Sequence, residues 1–244
     1  MSLLSHSDKD YLNVSLDLEY LQQKYYHDKG TALFDDKKLM KALFFFDKML
    51  KIDPSDVDAL LHKGDIFVQL KEYQKAIKCF DSVLKIDPKE IFALDMKAFA
   101  LGSLGRHDQA IKLYDLILFQ DPEHTEAMIN KSDQLIKMKN YLEAFELTTK
   151  AVKIAPRSSE LWINQSEAAM NSNDLPKAIL AIERALKIDP KQDEAWYLKA
   201  RCLSRKKDVR GAKKALLVAT SINPKNKIRA KKENDFSILR SRRD

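Results

Sequence analysis

The chain has 244 residues, of which 45% are hydrophobic and 32% charged, with a formal net charge of +7. This length and apolar content allow a sizeable core in one or two domains. Five glycines and seven prolines are too few for a turn-rich β-protein or a low-complexity chain, and no unbroken apolar run exceeds five residues, which excludes a membrane-spanning helix.

Residues 1–10 lack a basic stretch followed by an apolar one, so no secretory signal is read there. Tyr11, Val14, Leu18 and Leu21 then form a helical stripe, read as a capping segment over residues 1–22. Beyond it the sequence repeats. Prolines fall at Pro54, Pro88, Pro122, Pro156, Pro190 and Pro224, each 34 residues after the last. Most close the phrase Lys-Ile-Asp-Pro or a variant of it. Proline has no N–H and disfavours helix in the residue before it, so each phrase ends one helix and sets up the next. The predicted repeats are 23–56, 57–90, 91–124, 125–158, 159–192 and 193–226, followed by a basic capping helix or tail over 227–244.

Two columns stay in register inside each repeat. Position 20 is always alanine: Ala42, Ala76, Ala110, Ala144, Ala178 and Ala212. Position 8 is always small: Gly30, Gly64, Ala98, Ser132, Ser166 and Ala200. Small residues 12 apart predict two helices that cross closely, with bulky residues such as Leu60, Phe67, Phe80 and Val83 packed at helical spacing around the contact. Lys71-Glu72, Gly105-Arg106, Lys139-Asn140, Asn173-Asp174 and Lys207-Asp208 read as the turns inside the hairpins, and Pro176 falls in the first turn of a second helix, where its missing N–H costs little.

These columns resemble the tetratricopeptide repeat. Trp162 and Trp196 match its position 4, the alanine column its position 20, Phe46, Phe80 and Tyr114 its position 24, Ala151, Ala185 and Ala219 its position 27, and the prolines its position 32. Position 7 departs, carrying Lys29, Lys63, Lys97, Lys131, Gln165 and Lys199 where leucine is usual; a lysine stem along the neighbouring helix preserves the packing. Thr148 at position 24 makes the fourth repeat the weakest match. The resemblance implies an all-α fold, a right-handed α-solenoid of stacked antiparallel helix hairpins, that works as a non-enzymatic scaffold or adaptor for a protein or peptide partner.

Nothing in the motifs specifies a reaction. His6, His27, His62, His107 and His124 show no His–His pairing at i,i+4 and no neighbouring cysteine, and no phosphate loop, nucleophile elbow or HExxH is present, so no metal or cofactor is expected. Cys79 and Cys202, 123 positions apart in apolar helical patterns, read as buried free thiols in a cytoplasmic protein.

The resemblance also implies a groove lined by positions 2, 5, 6, 9, 12 and 13 of the first helices. Transferred here, that lining holds ten acids and four bases. Its candidate binding residues are Asp65, Phe92, Met96, Phe99, Asn130, Asp133, Asn164, Glu167 and Arg201. Acids at position 2, among them Asp58 and Glu194, are equally explained by the helix dipole, and Asp133 by a pair with Lys137. The cationic partners of a chaperone-tail clamp are missing, and the expected occupant is a basic or mixed basic–apolar segment. A second candidate surface lies at the C-terminal end, where residues 193–244 carry 16 Lys+Arg against 6 Asp+Glu. Arg205, Arg210, Lys213, Lys214, Lys231, Lys232, Arg240, Arg242 and Arg243 form it, and it suits nucleic acid or another anionic surface, or serves only as a solubilising cap.

Overall fold

The computed structural model describes the backbone of residues 6–241 and the side-chain surroundings of residues 18–239. Tyr11, Val14, Arg240, Arg242 and Arg243 therefore lie outside the described side chains. Among the described residues there is no strand. The helices are α1 (His6–Asp35), α2 (Leu39–Ile52), α3 (Val57–Gln69), α4 (Tyr73–Ile86), α5 (Ile91–Ser103), α6 (His107–Gln120), α7 (Thr125–Lys137), α8 (Tyr141–Ile154), α9 (Ser159–Asn171), α10 (Leu175–Ile188), α11 (Asp193–Arg205), α12 (Val209–Ile222), α13 (Lys225–Lys232) and α14 (Ser237–Ser241), with a 3₁₀ turn at Asn234–Phe236. The chain forms two compact units, residues 1–116 and 117–244. Within each, consecutive helices pack as hairpins and each hairpin packs on the next; first helices also touch first helices, as α3 does α5 and α9 does both α7 and α11.

The repeated phrase produces these hairpins through local chemistry. The Asp53 carboxylate accepts from the Ser55 N–H at 2.8 Å and from its hydroxyl at 2.6 Å, bonds that hold the carboxyl below the usual range. Asp87, Asp121, Asp189 and Asn223 accept likewise from the second residue on, each turn spanning a proline that has no N–H to offer. The next helix then starts on a side-chain cap: Asp56 takes the Ala59 N–H at 2.9 Å, His124 Nδ1 that of Ala127 at 3.2 Å, and Ser158 that of Leu161 at 3.4 Å. Inside each hairpin the fifteenth residue sits in the left-handed region: Lys37, Lys71, Gly105, Lys139, Asn173 and Lys207, with φ from 58° to 76°. Only Gly105 occupies that conformation without a Cβ penalty.

The columns meet in the core. Gly30 lies under the Phe46 ring and Gly64 under the Phe80 ring, so close that a Cβ on Gly64 would stand 2.5 Å from Phe80 Cε1. Both rings are fully buried, as are all six alanines of position 20. The tryptophans of position 4 act differently: the indole N–H of Trp162 donates to the Pro156 carbonyl at 3.0 Å and that of Trp196 to Pro190 at 2.9 Å, tying each helix to the preceding phrase.

Position 7 is more than a snorkelling lysine. Lys63 Nζ lies 2.6 Å from Asp47, and Lys97 Nζ 2.6 Å from Asp81, so each bridges to the acid sixteen residues earlier in the preceding repeat. In the second unit Gln165 keeps the same register by donating to Thr149 at 2.9 Å; Lys131 also faces Glu143 at 3.6 Å, and Lys199 covers the Trp196 ring.

The ends differ from the sequence expectation in detail. α1 runs without a break through residues 22 and 23, and Leu18 and Leu21 of the predicted capping stripe are exposed. At the other end α13 stops at Lys232 and the 3₁₀ turn drives Phe236 into the core, its ring edge-on to Tyr197 at 5.5 Å with Ala200, Ala215 and Ala219 around it. Cys79 and Cys202 are free and buried, and burial pushes the Cys202 thiol up to about 11. No helix among the described residues is long and apolar enough to cross a membrane.

Candidate functional site

The candidate site residues fall on the first helices of the hairpins, and each unit treats them differently. In the first unit α5 places Phe92, Met96 and Phe99 at i, i+4 and i+7, one stripe of one helix face. Phe92 is 42% and Phe99 45% exposed, so each ring presents a large part of its surface to water. The Phe99 ring stands edge-on to Tyr73 at 6.4 Å, which braces it. On α3, Asp65 is half-buried and accepts from Gln69 Nε2 at 3.3 Å.

The first unit also holds a cluster that the sequence reading passed over. His27 Nε2 on α1 lies 2.9 Å from Asp58 Oδ2, and His62 Nε2, one turn further along α3 from Asp58, lies 3.8 Å from Oδ1. His27 Nδ1 is 3.5 Å from Asp28. The His62 ring stacks on Phe46, centroids 4.7 Å apart and 8° from parallel, and meets the Phe34 ring edge-on. Its orientation is thus set by the same aromatic that fills the space above Gly30. In the sequence the cluster shows only as Asp58–His62 at i,i+4 and His27 at position 5 of the preceding repeat, a pattern with neither a His–His nor a His–Cys pair.

In the second unit the candidate residues are tied up internally. Asp133 takes a 2.6 Å bond from Lys137 Nζ, the pairing read from i,i+4 spacing. Asn164 on α9 donates to Ser132 Oγ at 2.7 Å and to the Ile129 carbonyl at 3.2 Å, so it fastens α9 to α7. Asn130 is half-buried on α7. Glu167 is half-buried, its carboxyl pushed up by burial and by nearby Glu194, with Arg201 Nη1 at 4.0 Å.

Arg201 is only 8% exposed. Its Nε donates to Asp235 at 2.8 Å, while Arg205 Nε donates to the other Asp235 oxygen at 2.7 Å and Arg205 Nη1 to the Met170 carbonyl at 2.7 Å. Burial works to raise the Asp235 carboxyl, but the bonds from Arg205 and Arg201 outweigh it and leave the group below its ordinary range. Arg229 pairs with Glu194 and lies over the Tyr197 ring at 4.1 Å. The chain's own segment 229–236 therefore covers Glu194, Tyr197, Arg201 and Arg205, the face of the sixth repeat that the sequence assigned to a partner. Of the predicted basic cluster, Arg205 belongs to this internal network, whereas Arg210, Lys213, Lys214, Lys231 and Lys232 are exposed on α12 and α13. Lys213, Lys227 and Lys231 rim a concavity floored by Leu216, Leu217 and Phe236.

Known proteins agree with this architecture. The tetratricopeptide repeat family profile matches residues 57–90 and again residues 172–232. No curated protein sequence matches the chain. Among solved structures, a tetratricopeptide repeat protein from Parabacteroides merdae is 17% identical, with TM-score 0.74 over 91% of this chain and 93% of that one. PilF of Pseudomonas aeruginosa is 16% identical, with TM-score 0.71 over 91% of this chain and 98% of its own. YrrB, described as a repeat protein of this kind with an unusual peptide-binding site, is 18% identical, with TM-score 0.58 over 77% and 98%. Residues 57–90 and 172–232 are thus tetratricopeptide repeats, and the helix hairpins of the chain share the fold of solved tetratricopeptide repeat proteins.

Proposed function

We propose that the protein is a non-enzymatic cytoplasmic scaffold that takes a basic–apolar segment of a partner protein on the first-helix face of its first unit. Tetratricopeptide repeat proteins are protein-interaction scaffolds in general, and the peptide-binding site named for YrrB is one instance of that use. The observation that carries the reading is the exposure of Phe92 and Phe99 on one stripe of α5. Two exposed aromatics on a rigid helix are anchors of the kind that dominate binding energy, and acids on the same row of first helices, Asp58 and Asp65, favour a cationic ligand. Asp133, Asn164 and Arg201 have a smaller part in this proposal, because their polar groups already bond within the second unit, and Asn130 and Glu167 are half-buried beside them.

Fluorescence anisotropy with a labelled peptide alternating Lys/Arg and Leu tests it. The expected result is saturable binding that weakens as salt rises from about 50 to 300 mM, and that falls about tenfold or more when Phe92 and Phe99 are both changed to Ser. Stronger binding of an acidic peptide, or binding without salt dependence, would contradict the reading.

Binding of nucleic acid or an anionic surface through the C-terminal cations is the alternative. It is favoured by one observation, the exposed rim of Lys213, Lys227 and Lys231. Reversing Lys213 and Lys214 to Glu leaves α11 and the 3₁₀ turn untouched. That variant should lose salt-sensitive affinity for an oligonucleotide if this surface binds one, and keep the peptide binding of the first unit.

A further inference from the structure

We propose that His27, Asp58 and His62 form a binding site for a divalent transition metal ion of the zinc class. The three side chains come from two helices of the first unit, and their ligand atoms, one from each, all lie within 4.8 Å of one another. Two imidazole nitrogens and a carboxylate oxygen are a donor set that suits such an ion and leaves a fourth position open. Metal–ligand bonds of about 2.0–2.2 Å in a tetrahedral shell place neighbouring donors roughly 3.3–3.5 Å apart. His27 Nε2 lies 2.9 Å from Asp58 Oδ2 and His62 Nε2 3.8 Å from Oδ1, and with all donor atoms within 4.8 Å of one another the side chains must draw together by up to about 1 Å to close on an ion.

The surroundings support coordination in three ways. The stacking of His62 on Phe46 fixes its ring with Nε2 turned toward Asp58, so little side-chain freedom is lost on binding. His27 sits between two carboxylates, Asp28 on Nδ1 and Asp58 on Nε2. The tautomer with Nδ1–H donated to Asp28 leaves the Nε2 lone pair on the Asp58 side, where both can ligate one ion. Asp28 then acts as the outer carboxylate that orients a ligating histidine. Among the described residues, the concavity beside the cluster is lined by Asp28, Asp56 and Asp58 and by Lys24, a charge balance that favours a cation. The site is partly open, with side-chain exposures of 42% for His27, 53% for Asp58 and 25% for His62, so an ion reaches it without unfolding.

Zinc chloride titrated into the full chain and followed by calorimetry tests the site, with cobalt substitution read by visible absorption. The expected result is one saturable zinc per chain, weakened about 10-fold or more by Asp58→Asn and by His27→Gln, and less by Asp28→Asn, which removes only an orienting group. Asp58 and His27 are the residues to change because both are partly exposed; His62 is packed on Phe46, and its loss would disturb the fold as well. Cobalt should give a visible d–d band without the intense near-ultraviolet absorption of a thiolate ligand. An absence of saturable binding, an affinity unchanged in the His27→Gln/Asp58→Asn double variant, or a thiolate band pointing to Cys79 or Cys202 would overturn the proposal.

Discussion

The two units carry the same repeat yet leave their first helices in opposite states. In the first, Phe92 and Phe99 face water and Asp58 meets two histidines. In the second, Glu167, Arg201, Arg205 and Asp235 neutralise one another, and Asn164 bonds to Ser132. Repeat position decides where a side chain stands, and what stands opposite decides whether it is available. A face read from repeat positions alone is therefore a face of candidates, and the chain's own C-terminal segment removes some of them.

The core shows the same contrast, and substitutions sharpen it. Position 24 is Phe46 or Phe80 packed on a glycine in the first unit, but Thr148 in the second, where its hydroxyl donates back to the Ala144 carbonyl at 2.8 Å. Phe80→Ala should cost about 3–5 kcal/mol in a denaturant melt, while Thr148→Ala, which removes far less volume, should cost about 1 kcal/mol or less.

The next largest effect belongs to the second unit. Asp235→Ala leaves the buried Arg201 without its closest partner and should cost about 2–4 kcal/mol. Its pH dependence has a definite sign. Because the folded carboxyl lies below the unfolded value near about 3.9, the stabilisation is complete above that value and disappears as pH falls through the folded one. The wild type and the variant should therefore converge in acid, which stability curves at falling pH will show. Glu167 is shifted the other way, so its charge weakens the fold as pH rises through the interval between its unfolded and folded values. Glu167→Gln should raise the melting temperature at neutral pH and lose that advantage in acid.

Smaller effects separate the glycines and the turns. Gly64→Ala forces the Phe80 ring to move and should cost about 1–2 kcal/mol net of the helix propensity gained. Gly30→Ala meets Phe46 at 3.0 Å and should be close to neutral, because the propensity gain of about 1 kcal/mol offsets a milder contact. Lys71 holds a left-handed conformation in the first unit, so Lys71→Gly should stabilise by about 0.5–1 kcal/mol, as should Lys139→Gly in the second.

Much of this fold was legible because the signals are local. Ile-Asp-Pro predicts a helix end, and the aspartate proves to bond across the proline; Lys71-Glu72 and Asn173-Asp174 mark turns, and their first residues adopt positive φ. The site was less legible, since it depends on residues brought together between repeats. His27 and Asp58 are 31 positions apart, and Arg201 and Asp235 are 34 apart in a segment whose path past α13 has no repeat to predict it. The lysines of position 7 lie between these extremes. Once the phase is known, Asp47 and Asp81 stand sixteen residues before Lys63 and Lys97, but only the packed helices turn that spacing into ion pairs.

The difference between an open first unit and an internally satisfied second one is tested most directly by backbone amide chemical shifts, recorded while a Lys/Arg–Leu peptide is added. The account predicts saturable shifts concentrated on α3 and α5, with α11 and the 3₁₀ turn unmoved. Shifts centred on α11, or displacement of the Asp235 segment with α5 unaffected, would contradict it.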